Sequence, residues 1–252
     1  MNWKFQLISV VLLMLNTSLV NANKIDYYVI ADQARPFQIE TKGADHSGIV
    51  TDIVKEVFKD SDHQINYHTY PFNRMISILS SQDQGNWITY GSPNWGKVQS
   101  ENLSEEPIYT VRHNLLFSSK KPIDYTKASD LNGKVVVLLM GFDYPELQPY
   151  FASGEVQEMR VKNYQSAFRV VDRHPGEMVF VEMGSRISYN QNQLNLDKSL
   201  YAQQGFNDVI PDYSVYLALS PTMDKEVQDY INKRLKVLKK QGKIDEIIKK
   251  YI

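Results

Sequence analysis

The segment 86–100, NWITYGSPNWGKVQS, gathers side chains suited to holding a polar solute. An apolar run delivers Thr89, Tyr90, Ser92 and Lys97 into one short stretch, with Gly91 and Gly96 freeing the backbone between them. Two hydroxyls, a phenol and an ammonium at that spacing offer hydrogen bonds and one positive charge. The commoner product of a Gly/Ser/Pro/Asn cluster is a solvated turn. A second centre lies at Glu182, which follows the apolar run MVFV and so stands at the carboxyl end of a buried strand. The ordinary alternative for Glu182 is a helix-start acid favoured by the dipole. Arg74, just after YPFN, could fork onto a carboxylate or phosphate, or lie on a solvated helix face. Phe37, Tyr70 and Phe142 could stack on a ring or cover an aliphatic ligand, although a single aromatic more often packs in a core.

Signals for catalysis are thin. The chain has no G-x-S-x-G elbow, no Walker loop and no G-x-G-x-x-G fingerprint. Its five histidines, His46, His63, His68, His113 and His174, show no H-x-x-x-H spacing, and there is no cysteine. Zinc and thiol chemistry therefore lose their usual ligands. The expectation is a binding protein with no catalytic residue, no metal and no cofactor.

Alternating elements must position these side chains. KIDYYVI reads as a strand, SGIVTDIVKEVFKD as a helix, QINYHTY as a strand, PFNRMISILSS as a helix and WITY as a third strand. That β-α-β-α-β order predicts a mostly parallel sheet, with ligands near the carboxyl ends of its strands. The loop from Thr89 to Lys97 lies at such an end. After NLLFS a second series begins at KVVVLLMG and runs through EVQEMRV, NYQSAFRVVDRH and EMVFVEM to a helix near Gly184. YSVYLALSP then reads as a late strand, and Thr222 as the cap of an amphipathic helix from about Met223 to Lys240. A short final helix follows Gly242.

Composition narrows the class. The 252 residues carry 28 basic and 29 acidic side chains, so no overall positive field attracts nucleic acid. Residues 1–22 read as a cleavable signal peptide: Lys4, the nine-residue apolar core LISVVLLML and the small-residue site VNA. With no cysteine there is neither a disulfide nor a lipid-bearing N-terminal thiol, so the expected product is a free periplasmic protein without a lipid anchor.

Several segments together resemble the periplasmic solute-binding proteins of the polar amino-acid type, family 3 of bacterial extracellular binding proteins. They are RPF after the first strand, SGIVTDIVKEVF, SEEPIY, DLNGKVVVLLMG, EMVFVE and the closing VQDYINKRLKVLKKQGKIDEIIKKY. The resemblance implies an α/β two-lobe periplasmic binding fold of type II, each lobe a mostly parallel sheet flanked by helices, with two hinge crossings. Lobe one would comprise residues 23–117 and 217–252, and lobe two residues 118–216. It also implies a ligand gripped between the lobes by Thr89, Tyr90 and Ser92. The family's carboxylate-binding arginine falls on Lys97, a point charge that cannot fork. Its small hydroxyl residues fall on Phe142 and Asp143, and its ammonium-binding carboxylate on Glu182.

The expected partners are a small polar or zwitterionic solute and an inner-membrane ABC permease, with the protein a monomer. A ligand sensor acting on a membrane receptor is the second reading. A dehydratase-like or peptidoglycan-cleaving enzyme on the same scaffold is the third. N-terminal sequencing of the exported chain should read from Asn23; an intact Met1 in the inner membrane would contradict the signal-peptide reading.

Overall fold

A computed structural model describes residues 24–252, apart from 42, 44, 82–84 and 97. The expected signal peptide over 1–22 and the binding candidate Lys97 lie outside the described residues.

The first half follows the expected alternation: β1 (Lys24–Ile30), α1 (Ile49–Phe58), β2 (Gln64–Tyr70), α2 (Phe72–Ser81) and β3 (Trp87–Gly91). A short α3 (Val98–Glu101) and β4 (Tyr109–Val111) complete it. The second series is β5 (His113–Ser118), β6 (Val135–Leu139), α4 (Gln148–Ala152), β7 (Gln157–Val161), α5 (Tyr164–Arg173), β8 (Met178–Met183), α6 (Gly184–Gln193) and β9 (Tyr201–Gly205). The chain then returns through β10 (Tyr213–Leu219), α7 (Lys225–Lys240) and α8 (Lys243–Lys249).

Two five-stranded sheets result, ordered β2-β1-β3-β10-β4 and β7-β6-β8-β5-β9. In the first, β1 runs parallel to β2 and β3, while β10 is antiparallel to β3 and β4. In the second, β6 runs parallel to β7 and β8, while β5 is antiparallel to β8 and β9. Strands β1, β3, β6 and β8 are nearly continuous apolar runs because both faces of each sheet are covered. Helix α1 supplies such a cover with Ile49, Ile53 and Val57, spaced to fall on one face. The terminal helices pack back on the first lobe: Tyr251 accepts a hydrogen bond from Gly48 N–H at 2.9 Å and donates one to Asp52 at 2.8 Å.

The strand pairing moves the lobe boundaries. The sequence reading placed the first crossing after residue 117, yet β5 pairs with β8 and β9, so the chain changes lobes at Arg112. It placed the return at 217, whereas β10 already pairs with β4 at Tyr213. An apolar strand such as NLLFS is buried equally well in either sheet; only its hydrogen-bond partners say which it joins. The two crossings are tied by Arg112 Nε donating to Asp212 Oδ2 at 3.0 Å. Thr222 does not cap α7 either. Asp224 holds that position, with its N–H donating to Asn86 Oδ1 at 2.9 Å and its Oδ2 accepting from Asn86 Nδ2 at 2.8 Å. No helix among the described residues is long and apolar enough to cross a membrane.

Two glycines are dictated by close approach. Gly48, at φ 112°, leads into α1, and a Cβ there would sit 2.6 Å from the Phe37 carbonyl oxygen. At Gly91 a Cβ would fall 1.9 Å from the Gln99 carbonyl oxygen, because α3 folds directly against the end of β3. Gly91→Ala should therefore lower unfolding free energy by about 1–3 kcal/mol or more, as over-packing does. Urea denaturation checks this; wild-type stability would contradict the β3–α3 contact.

Candidate ligand-binding cleft

Glu182 is the last residue but one of β8 and α6 begins two residues after it, so Glu182 and Arg186 stand four residues apart on one side of the turn. Gly184 sits close against Asn114 in the turn: a Cβ there would lie 2.8 Å from Asn114 Nδ2, and its N–H donates to Arg112 O at 2.9 Å. Both charged side chains are buried, Glu182 at 1% exposure and Arg186 at 5%. Glu182 accepts hydrogen bonds from Met183 N–H at 2.8 Å and from the Tyr164 hydroxyl at 3.0 Å. Arg186 Nη1 lies 4.0 Å from Glu182 Oε1, an ion pair without a hydrogen bond. Burial pushes the Glu182 carboxyl up from its usual range, and the Arg186 charge is the main force opposing it. Burial likewise works against the Arg186 charge, but Tyr164 and Glu182 hold the guanidinium protonated.

Aromatic rings enclose this pair. The Phe142 ring lies under the guanidinium at 4.8 Å, a cation–π contact. Tyr144 and Tyr164 flank it, their phenols raised by burial and then by the Glu182 charge. From the first lobe, the Tyr90 hydroxyl approaches Arg186 and the Tyr109 hydroxyl approaches Ser185. Trp95 packs edge-on against both Tyr90 (5.5 Å) and Tyr213 (6.2 Å), and Phe37 stacks on Tyr90 at 6.0 Å. Met183, at the end of β8, packs against the first lobe's core. The cleft is thus an aromatic box with one charge pair on its second-lobe wall. Arg186 Nε, Arg186 Nη1 and Ser185 Oγ are buried there without a hydrogen-bond partner among the described residues.

Of the residues singled out from sequence, Tyr90, Phe142 and Glu182 meet around Arg186, and Phe37 backs Tyr90. Thr89 is buried in β3, its hydroxyl donating to Tyr28 O at 3.2 Å inside the sheet. Ser92 is buried in the turn after β3, its carbonyl accepting from Trp95 N–H at 3.0 Å and its N–H donating to Gln99 O at 3.1 Å. Tyr70 and Arg74 form their own cation–π pair at 5.6 Å, with Arg74 exposed. Asp143 is exposed beside Phe142. Sequence reasoning missed Arg186, Ser185, Tyr109, Tyr144, Tyr164 and Tyr213. For Arg186 a signal existed: E-M-G-S-R places an arginine one helical turn after an acid at a strand end.

Two mixed sheets flanked by helices, joined by two crossings beside a cleft, define the two-lobe solute-binding fold of type II. Residues 28–252 match the family model of bacterial extracellular solute-binding proteins, family 3, and the chain belongs to that family. Solved structures agree on the fold. An ancestral cationic amino-acid solute-binding protein, AncCDT-1, aligns with a TM-score of 0.66 at 16% identity, over 91% of this chain and 95% of its own. A chain from work on glutathione import via GshT and the cystine ABC importer TcyBC of Streptococcus mutans gives 0.66 at 20% identity, over 91% and 94%. The periplasmic VFT2 domain of BvgS from Bordetella pertussis gives 0.65 at 15% identity, over 92% and 94%. No match to this sequence emerges among curated proteins.

The first residue past the crossing, His113, is buried between Tyr144 and Tyr213, with ring centroids at 6.2 and 6.1 Å. Burial, reinforced by the Arg186 charge, brings its imidazole down from 6.5 to about 4. The unfolded chain then binds more protons than the folded one between those values. Stability should fall as pH drops from about 6.5 to about 4, by roughly 3 kcal/mol at most. His113→Leu should remove that component from pH-dependent denaturation curves; parallel curves for both proteins would contradict it.

Proposed function

We propose that this chain is a non-enzymatic periplasmic binding protein. It captures a small polar, amino-acid-like solute between its lobes and delivers it to an inner-membrane ABC transporter. One observation carries the reading. Polar groups of the second lobe, Arg186 and Ser185, face hydroxyls of the first, Tyr90 and Tyr109, inside a shared aromatic enclosure. A site divided between lobes is completed only when they close, so ligand and closure stabilise one another. Tyr90, Phe142 and Glu182 form its walls, Phe37 supports Tyr90, and Tyr70 at the end of β2, Arg74 on α2 and Asp143 beyond β6 add outer contacts, with Lys97 kept as the candidate read from sequence. Thr89 and Ser92 fix the shape of the first-lobe loop. Amino-acid binding and ABC import in the names of structural neighbours support the solute class and the route.

A thermal-shift screen of amino acids, organic acids, polyamines and small sugars tests the proposal. At a hundredfold excess over its dissociation constant, a true ligand adds about 2.7 kcal/mol. For a chain of this size that raises the melting temperature by roughly 5–10 °C. Uptake of that compound should be lost when the gene is deleted and the transporter kept. Turnover of the compound by the purified protein, or a screen with no binder, would overturn the reading.

A further inference from the structure

Within the proposed solute-binding role, we infer that the ligand's carboxylate is gripped from the second lobe, by Arg186 and Ser185 at the N-terminus of α6, and that binding requires no α-ammonium group. Arg186 and Ser185 are each 5% exposed, yet Arg186 Nε, Arg186 Nη1 and Ser185 Oγ have no hydrogen-bond partner among the described residues. Buried donors are rarely left unpaired, and a charged one least of all. The orphaned groups cluster in the first turn of a ten-residue helix, whose positive end favours an anion. Their natural complement is a small anionic oxygen group.

Glu182 offers an ammonium much less. Both its oxygens already accept hydrogen bonds, from Met183 N–H and the Tyr164 hydroxyl, and Arg186 lies 4.0 Å away. A ligand cation approaching Glu182 would meet the guanidinium charge at the same carboxylate. Glu182 is therefore a positioning residue: with Tyr164 it fixes the guanidinium over Phe142, facing the Tyr90 hydroxyl. The rings of Trp95 and Phe142 suit an apolar or flat body behind the carboxylate. The ligand class is an organic monocarboxylate: an amino acid, or equally the 2-hydroxy acid of the same skeleton.

The test is calorimetric titration with matched probes: the amino acids, their 2-hydroxy acids and their decarboxylated amines. Hydroxy acids should bind within about tenfold of the matching amino acids, and the amines should not bind. Arg186→Gln should weaken the best acid by about thirtyfold or more, as loss of a desolvated charged partner does. Glu182→Gln loosens the guanidinium's support, so it should weaken an amino acid and its matching 2-hydroxy acid by the same factor; a loss confined to the amino acids would show that Glu182 binds their ammonium. Because Arg186→Gln leaves an unpaired buried acid, the double variant Glu182→Gln/Arg186→Gln is titrated as well, with its melting curve recorded. It should fold and fail to bind. Amino acids that bind while hydroxy acids do not, or wild-type affinity in the double variant, would overturn this inference alone. A panel in which no carboxylate binds would overturn this inference too, while the proposed function falls only if the wider screen also yields no binder.

Discussion

The structure turns on one buried charge pair. Glu182 and Arg186 are almost wholly removed from water, and removing either charge from solvent costs several kcal/mol before any attraction is counted. An ion pair at 4.0 Å, short of hydrogen-bond geometry, offsets that cost only in part. The rest comes from Met183 N–H, the Tyr164 hydroxyl and the Phe142 ring. Such a pair adds little to net stability compared with apolar packing of the same volume. Its retention in the cleft is understandable if the guanidinium is held ready for something else.

That requirement propagates outward through the fold. Arg186 reaches the first lobe because α6 starts immediately after β8, and Gly184 at that junction leaves room for the Asn114 side chain. The same residue donates to Arg112 O, at the first crossing, so the site's turn is anchored to the hinge. Arg112 in turn pairs with Asp212 at the second crossing. This exposed ion pair contributes little free energy, but it sets the two connections side by side. Across the cleft, Gly91 lets α3 fold against β3, and the turn that follows brings Trp95 against Tyr90. The missing side chain at Gly91 and Gly184 thus allows the close packing at both walls.

Much of the architecture was legible in the sequence, because β1, β3, β6 and β8 are apolar runs and α1 and α7 carry clear helical stripes. Partner choice was not. NLLFS and YSVYLAL carry no mark of which sheet they enter, and the lobe boundaries shifted accordingly. Thr222 looked like a cap because it is a hydroxyl residue before an amphipathic run, but Asn86, distant in sequence, clamps Asp224 instead. In the site, Glu182, Tyr90 and Phe142 were legible from strand ends and from family resemblance. Arg186 was hidden because a basic residue in the first turn of a helix reads as solvated surface. Only the tertiary packing of Tyr90 and Tyr164 around it reveals a buried charge. Thr89 shows the converse: a hydroxyl that reads as a ligand donor is engaged with Tyr28 O within its own sheet.

The most direct measurement is the nitrogen-15 spectrum of Arg186 Nε–H during titration with the carboxylate that binds tightest. The account predicts a slowly exchanging, downfield-shifted Nε–H that appears in proportion to bound ligand, as a charge-assisted hydrogen bond to an anion requires. An Arg186 resonance unmoved at saturation, with the ligand-induced shifts gathered instead on Lys97, would contradict it.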